Sequence, residues 1–243
     1  MDQAAVIASY NYETGATMYP GLTAYIKSLV HDSARMTSGR RTQLQALAEM
    51  ILNKSAEELA RLNFICTHNS RRSQMCQIWA ATFAAWYGLE RVEIYSGGTE
   101  VTAFNPRAVE AVRRAGFKVN TAGSGTGSSS GEQPLVEKVA ETSKNPHYQV
   151  YYKETRPPVL CFSKLYDDPG VNPTTGTVAV MTCSEADQNC PFIPGADHRI
   201  SLPYKDPKTA DGTPREKQVY DERCRQIAAE MQYLMSEVSS RTS

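Results

Sequence analysis

The sequence predicts an α/β fold organised around a mainly parallel sheet. Three observations carry this expectation. Short apolar runs alternate with stretches of helical apolar spacing between residues 61 and 115, glycines close both of those helical stretches, and the best remaining buried run, residues 177–183, precedes a long helical C-terminus.

Residues 1–18 are polar and unpatterned. Helical spacing follows twice, through Leu22, Tyr25, Ile26 and Leu29 and then through Leu44, Leu47, Ala48 and Ile51, which predicts a helical extension over residues 1–58. Residues 61–66 (RLNFIC) are a short apolar strand, and after a polar loop residues 74–87 read as a helix closed by Gly88. Residues 92–96 (VEIYS) are a second strand with a turn at Gly97-Gly98, and residues 106–115 are a helix opened by Pro106 and ended by Gly116. The tract 122–133 (AGSGTGSSSGEQ) has too little apolar surface to fold alone and is expected to be a mobile surface loop. Runs 149–153 and 159–163 flank Arg156-Pro157-Pro158 as an inserted hairpin would, and the aromatics Tyr148, Tyr151, Tyr152 and Phe162 either pack that hairpin or line a substrate groove. A weaker strand at 198–204 and a helix over 214–238 complete a main domain at 59–243, interrupted by an insertion at 122–176.

At 243 residues the chain can bury a sizeable core, as one large domain or as a domain with an appendage. Lys plus Arg and Asp plus Glu each total 26, so no global field draws nucleic acid or an anionic membrane, and any anion site must be local. No apolar run approaches the ~20 residues that cross a bilayer, and the first residues lack the basic and apolar regions of a signal peptide. A cytoplasmic protein is expected. The six cysteines, Cys66, Cys76, Cys161, Cys183, Cys190 and Cys224, are too sparse for a disulfide scaffold and default to thiols in a reducing compartment. No neighbouring Cys-x2-Cys or His pair completes a zinc set, so neither metal nor cofactor is expected.

The chemistry concentrates in Cys66-Thr67-His68-Asn69-Ser70-Arg71-Arg72-Ser73, between a strand and the start of a helix. Free backbone N–H groups and the helix dipole make an anion site there, and they favour the nucleophilic thiolate of Cys66. Arg72 can grip two oxygens of a tetrahedral anion with its planar fork. Ser73 can donate its hydroxyl to the sulfur, and Asn69 suits a backbone position with positive φ. A Cys-x5-Arg spacing recurs by chance, and its strand, loop, helix context is what raises it to a site.

These residues, from Phe64 to Gln74, resemble the phosphate-binding loop of the low-molecular-weight protein tyrosine phosphatases and of the related thioredoxin-coupled arsenate reductases. Tyr95-Ser96-Gly97-Gly98-Thr99-Glu100 is similar to that family's second strand and its exit. The resemblance implies a three-layer α/β/α fold on a mainly parallel four-stranded sheet, with the N-terminal helices and the inserted β-hairpin as additions. It implies Cys66 as nucleophile, Arg72 as oxyanion-binding arginine, Asn69 as loop-shaping residue and Ser73 as support for the thiolate, with residues 67–73 forming the oxyanion cradle. His68 and Arg71 depart from the family's pattern; His68 reads as a hydrogen-bonded bystander and Arg71 as solvent-directed.

Asp206-Pro207, between the last expected strand and the terminal helix, resembles the family's acid loop, in which the aspartate protonates a leaving oxygen. The nearby Asp167-Asp168-Pro169 lies in the insertion and is expected to be structural. Thr182-Cys183-Ser184-Glu185-Ala186-Asp187-Gln188-Asn189-Cys190-Pro191 resembles the two-cysteine segment of the arsenate reductases. By that resemblance Cys183 attacks the Cys66 adduct, Cys190 resolves the disulfide, and thioredoxin reduces the final pair. Cys76, Cys161 and Cys224 read as packing residues.

Three functions follow in order. Thioredoxin-coupled arsenate reduction leads, low-molecular-weight tyrosine phosphatase activity through a cysteinyl-phosphate with Asp206 as acid is the alternative, and a non-catalytic oxyanion- or phosphotyrosine-binding protein is the rival of a different class. Arsenate or a phosphate monoester is the expected ligand, and neither nucleic acid nor membrane is an expected partner.

Overall fold

A computed structural model of the chain describes residues 18–121 and 144–242. Its frame is a four-stranded, wholly parallel sheet made of β1 (Ala60–Cys66), β2 (Val92–Gly98), β6 (Thr177–Met181) and β7 (Ala196–Ser201), in the spatial order β2-β1-β6-β7. β1 lies in the middle, paired with β2 through Ala60–Val92 to Cys66–Gly98 and with β6 through Arg61–Thr177 to Ile65–Met181. Cys66 therefore ends a central strand, at the carboxyl edge of the sheet where open α/β folds place their ligands.

The sheet alternates sides in the manner of buried strands. Leu62 and Phe64 of β1 and Val178 and Val180 of β6 face one core, shared with the helices α1 (Pro20–Ser28), α3 (Ser38–Glu57), α4 (Arg72–Trp86), α5 (Pro106–Arg114) and α7 (Glu216–Thr242). Ile65, Cys66, Ala179 and Met181 face a smaller core beneath the short α6 (Ser184–Asn189). Helices on one face and α6 with its flanking segments on the other make three layers. Among the described residues no helix is long and apolar enough to cross a membrane.

The N-terminal helices are part of the larger core. Leu22, Ile26, Leu29, Leu44, Leu47, Ala48 and Ile51 are all buried in it, and α3 packs along α7. Thr37 starts α3 by accepting the backbone N–H of Arg40, and the five-residue α2 (Val30–Ala34) joins it to α1. At the centre Trp79 stacks between Tyr25 and Phe83 at 5.5 and 5.7 Å and meets Phe117 edge-on, while its indole N–H donates to Cys224 Sγ at 3.3 Å.

The expected hairpin exists as β4 (Tyr148–Tyr151) paired antiparallel with β5 (Val159–Cys161). It is larger than the sequence implied, because β3 (Lys118–Thr121) pairs with β4 to make a three-stranded sheet. β3 is only four residues long and three of them are polar, so it carries no strand signal without its partner. Tyr148 meets Phe104 edge-on and Tyr152 enters the main core, which is the packing role. The Gly/Ser tract at 122–133 lies outside the described residues.

One local expectation is corrected. Gly97 and Gly98 are not a turn; they are the last residues of β2. A Cβ on Gly97 would lie 2.2 Å from Tyr166 Cα, and one on Gly98 would lie 2.8 Å from Asn69 N. The glycines let residues 164–166 and the Cys66 loop both come against the strand end, where Gly98 N–H donates to Lys164 O and Tyr166 N–H donates to Gly98 O.

Candidate active site

The loop after β1 turns through Asn69, which has φ of 44°, the one non-glycine residue with positive φ among those described. Asparagine tolerates this conformation, and its fully buried side chain then organises the loop. Nδ2 donates to Ser73 Oγ at 2.8 Å and Ser96 Oγ at 3.0 Å, while Oδ1 accepts from Gln74 Nε2 and from the Lys164 backbone N–H. Ser96 in turn donates to Gln77 Oε1 at 2.6 Å, and Gln74 Nε2 also reaches the carbonyls of Asn69 and Phe162. The outcome of this buried network is the position of one hydroxyl: Ser73 Oγ lies 3.1 Å from Cys66 Sγ.

α4 begins at Arg72, and its N-terminus has no side-chain cap. Its first N–H groups therefore point into the loop with the positive end of the helix dipole. Arg72 is only 11% exposed; Nη2 pairs with Asp206 Oδ2 at 2.8 Å, Nη1 donates to Tyr204 O at 3.2 Å, and Nε has no partner among the described residues. Asp206 caps a short 3₁₀ turn (Pro207–Ala210) through Oδ1, which leaves Oδ2 facing the loop. The loop thiol, the arginine and the aspartate are thus gathered from three distant stretches of sequence. Asp168, by contrast, accepts the N–H of Gly170 within its own turn.

The remaining loop side chains turn outward from the sulfur. Thr67 Oγ1 donates to Glu185 Oε2, His68 Nε2 lies 3.4 Å from Glu100, and the His68 carbonyl accepts from Thr102 and Ser163. The Ser70 carbonyl accepts from Asn105 N–H, tying the loop to α5. What Thr67, His68 and Ser70 can offer an anion is chiefly backbone N–H. The expectation that Arg71 points to solvent fails. It is 12% exposed, donating to Tyr220 Oη at 2.9 Å and lying 3.6 Å from Asp211. Tyr220 and Asp211 come from near the C-terminus, and no local signal announces them. Arg71 therefore anchors the loop to α7, leaving Arg72 as the loop's fork.

Cys183 sits at the end of β6, fully buried, with Sγ 3.5 Å from Thr67 Oγ1 and accepting the Ala186 N–H as the cap of α6. Cys190 closes the same helix at its other end and is partly exposed. Arg199 of β7 holds the helix down, donating to Asp187 O, Asp187 Oδ1 and Cys190 O, and Ser201 Oγ donates to Asp187 Oδ2. All six cysteines are free thiols. Burial pushes the thiols of Cys161 and Cys224 up to about 12 and that of Cys76 well above its usual value, as suits packing residues. Among the described residues, no group of three or more His, Cys, Asp and Glu is arranged to hold a metal.

Nothing in the local sequence marks Lys164. It is buried against the strand end, its ammonium 4.8 Å from the Phe162 ring centroid and 3.5 Å from the Phe162 carbonyl. Burial lowers its pKa to about 8.

Residues 61–150 match the family model described as low molecular weight phosphotyrosine protein phosphatase. An arsenate reductase of Halalkalibacterium halodurans is 25% identical over 154 residues, covering 63% of this chain and 78% of that protein. An arsenate reductase of Bacillus subtilis is 25% identical over 162 residues, covering 67% and 84%. Among solved structures, the thioredoxin-dependent arsenate reductase of Corynebacterium glutamicum aligns over 93% of this chain and 91% of its own, with 17% identity and a TM-score of 0.35.

Proposed function

We propose, from the match of residues 61–150 to the low molecular weight phosphotyrosine protein phosphatase model and the similarity to arsenate reductases, that this chain is an arsenate reductase that works through Cys66, Cys183 and Cys190. The carrying observation is the place of Cys183. Its sulfur lies 3.5 Å from the side chain of Thr67, the residue after Cys66, at the head of a helix whose other end is the partly exposed Cys190.

In the proposed sequence the Cys66 thiolate, supported by Ser73, attacks arsenic(V) of arsenate held by Arg72 and the α4 N–H groups. Asp206 protonates the departing oxygen, which leaves as water. The Cys183 thiolate then attacks Cys66 Sγ. The S–As bond breaks with its electron pair staying on arsenic, so that arsenite(III) departs and a Cys66–Cys183 disulfide remains. Two thiols have supplied two electrons. Cys190 attacks Cys183, freeing the Cys66 thiolate, and an external dithiol such as thioredoxin reduces the Cys183–Cys190 disulfide. A reducing, cytoplasmic setting suits that last step.

Geometry adds a requirement. The six residues of α6 lie between the two relay cysteines, so an offset of seven positions gives a rise of about 10 Å, whereas a disulfide needs Cα atoms ~4.4–6.8 Å apart. Helix α6 must open for the relay to finish.

The phosphatase reading is the second. Cys66, Arg72 and Asp206 suffice for attack on a phosphate monoester and hydrolysis of the cysteinyl-phosphate, and the Arg72–Asp206 pairing at 2.8 Å supports it. Steady-state assays separate the two. Thioredoxin-dependent arsenate reduction is expected to vanish in Cys66→Ser, Cys183→Ser and Cys190→Ser, with a Cys183–Cys190 disulfide found by mass spectrometry after one turnover without reductant. Full aryl-phosphate turnover, with no arsenate reduction, would overturn the leading reading in favour of the second. Tight oxyanion binding with neither turnover would favour a binding protein.

A further inference from the structure

The segment that carries Asp206 leaves β7 through Leu202, Pro203 and Tyr204, and its backbone is held on the sheet side by Leu202 N–H to Met181 O and Tyr204 N–H to Thr182 O. Its other side faces α3 and α7. There a cavity of about 580 Å³, lined by Met36, Thr37, Pro203 and Gln226 among others, interrupts the packing. Arg40 and Glu230 both line it. The Arg40 guanidinium carbon lies over the Tyr204 ring, 4.5 Å from its centroid. Nε and Nη2 hold Glu230 of α7 at 2.9 and 2.8 Å, and Nη1 reaches Gln43. Both charges are withdrawn from water, Arg40 at 12% and Glu230 at 3% exposure, so the pair holds a single geometry. Tyr204 is the residue whose carbonyl accepts from Arg72 Nη1, and Asp206 follows two residues later.

We propose that Arg40, on the N-terminal helix α3, is a positioning residue for the segment bearing Asp206, through the Tyr204 ring. This rests on the assignment of Asp206 as general acid. The helical extension then has a part in proton delivery: Glu230 fixes the guanidinium, the guanidinium fixes the ring, and the ring fixes the backbone that presents both the Arg72 contact and the aspartate.

The test is the dependence of aryl-phosphate cleavage on the leaving group, which fold stability alone does not move. A poor leaving group needs its proton more than a good one. Arg40→Met is expected to lower kcat for phenyl phosphate about tenfold more than for p-nitrophenyl phosphate, and to add no further selectivity in an Asp206→Asn background. Because Arg40→Met leaves Glu230 buried without its ion-pair partner, with only the Gln226 Nε2 hydrogen bond, Arg40→Lys is measured beside it. Lysine keeps the charge yet lacks the planar guanidinium, and an intermediate, leaving-group-dependent loss is expected. An unchanged ratio of the two substrates in folded Arg40→Lys, or an Arg40→Met effect that persists in Asp206→Asn, overturns the proposal and leaves the family reading intact. A wild-type chain that neither cleaves aryl phosphates nor reduces arsenate overturns that reading, and the positioning role with it.

Discussion

Replacing Arg199 with alanine is expected to speed the relay. The Cys183–Cys190 disulfide cannot form while α6 is helical, so the population of an opened α6 limits the resolving step. Arg199 contributes three hydrogen bonds that hold the helix on β7, to Asp187 O, Asp187 Oδ1 and Cys190 O, at 2.7, 2.6 and 3.1 Å. Arg199 and Asp187 are 26% and 24% exposed, which discounts their charged pairing, so the set is worth about 1–2 kcal/mol. Its loss raises the opened fraction roughly 5–30-fold. The assay is a single turnover with one equivalent of arsenate, no reductant, acid quenching, alkylation and mass spectrometry of the disulfides over time. Conversion of Cys66–Cys183 to Cys183–Cys190 should accelerate by that factor, with formation of the first disulfide unchanged. An equal or slower conversion in Arg199→Ala would refute the argument that α6 opening is limiting.

Asn69 should show its two roles separately. Asn69→Ala leaves the buried Lys164 N–H without its acceptor, at about 1–3 kcal/mol, and forces a Cβ-bearing residue to φ of 44°. Asn69→Gly loses the same hydrogen bonds without that strain, so urea unfolding should find it more stable than Asn69→Ala by about 1–2 kcal/mol; equal midpoints would show that the backbone is not strained. Lys164 predicts a pH dependence. Its folded pKa, lowered to about 8 from 10.5, means that between these values the unfolded chain binds the proton and the folded chain does not. Stability from this group therefore rises with pH across that window, by up to about 3 kcal/mol. Lys164→Met should be relatively more stable than wild type at pH 7.5 than at pH 10, and a difference independent of pH would contradict the burial argument.

Much of the site was legible from residue order. A thiol ending an apolar strand, a polar loop with asparagine at its fourth position and an arginine opening the next helix are local features, because strand ends, positive φ and helix starts are set by neighbouring residues. The alternation of strands and helices likewise announced the parallel sheet, since each element carries its own period. Cys183, Cys190 and Asp206 were visible only by resemblance. Nothing in their spacing places Cys183 beside Thr67, Cys190 at the other end of the same helix, or Asp206 on Arg72; that arrangement follows from β6 lying beside β1 and from the β7 exit passing over the loop.

Tertiary structure alone decided the rest. Arg71 reads locally as a solvent-directed charge because its partners, Tyr220 and Asp211, lie about 140 residues away, a separation that no local pattern spans. Lys164 and Gln77 carry no local signal because burial of a polar side chain depends on what covers it, and the polar network beneath Asn69 draws on several separate segments. β3 became a strand through pairing with β4, and Arg40 became a support for the acid segment through α3 packing on α7. The sequence by itself determined which thiol sits at the strand end before the helix and how its loop is bent, since those rest on backbone geometry within a few residues. The folded chain determined which charges hold that loop, which helix separates Cys183 from Cys190, and what packs against the segment bearing Asp206, since those rest on contacts between distant elements.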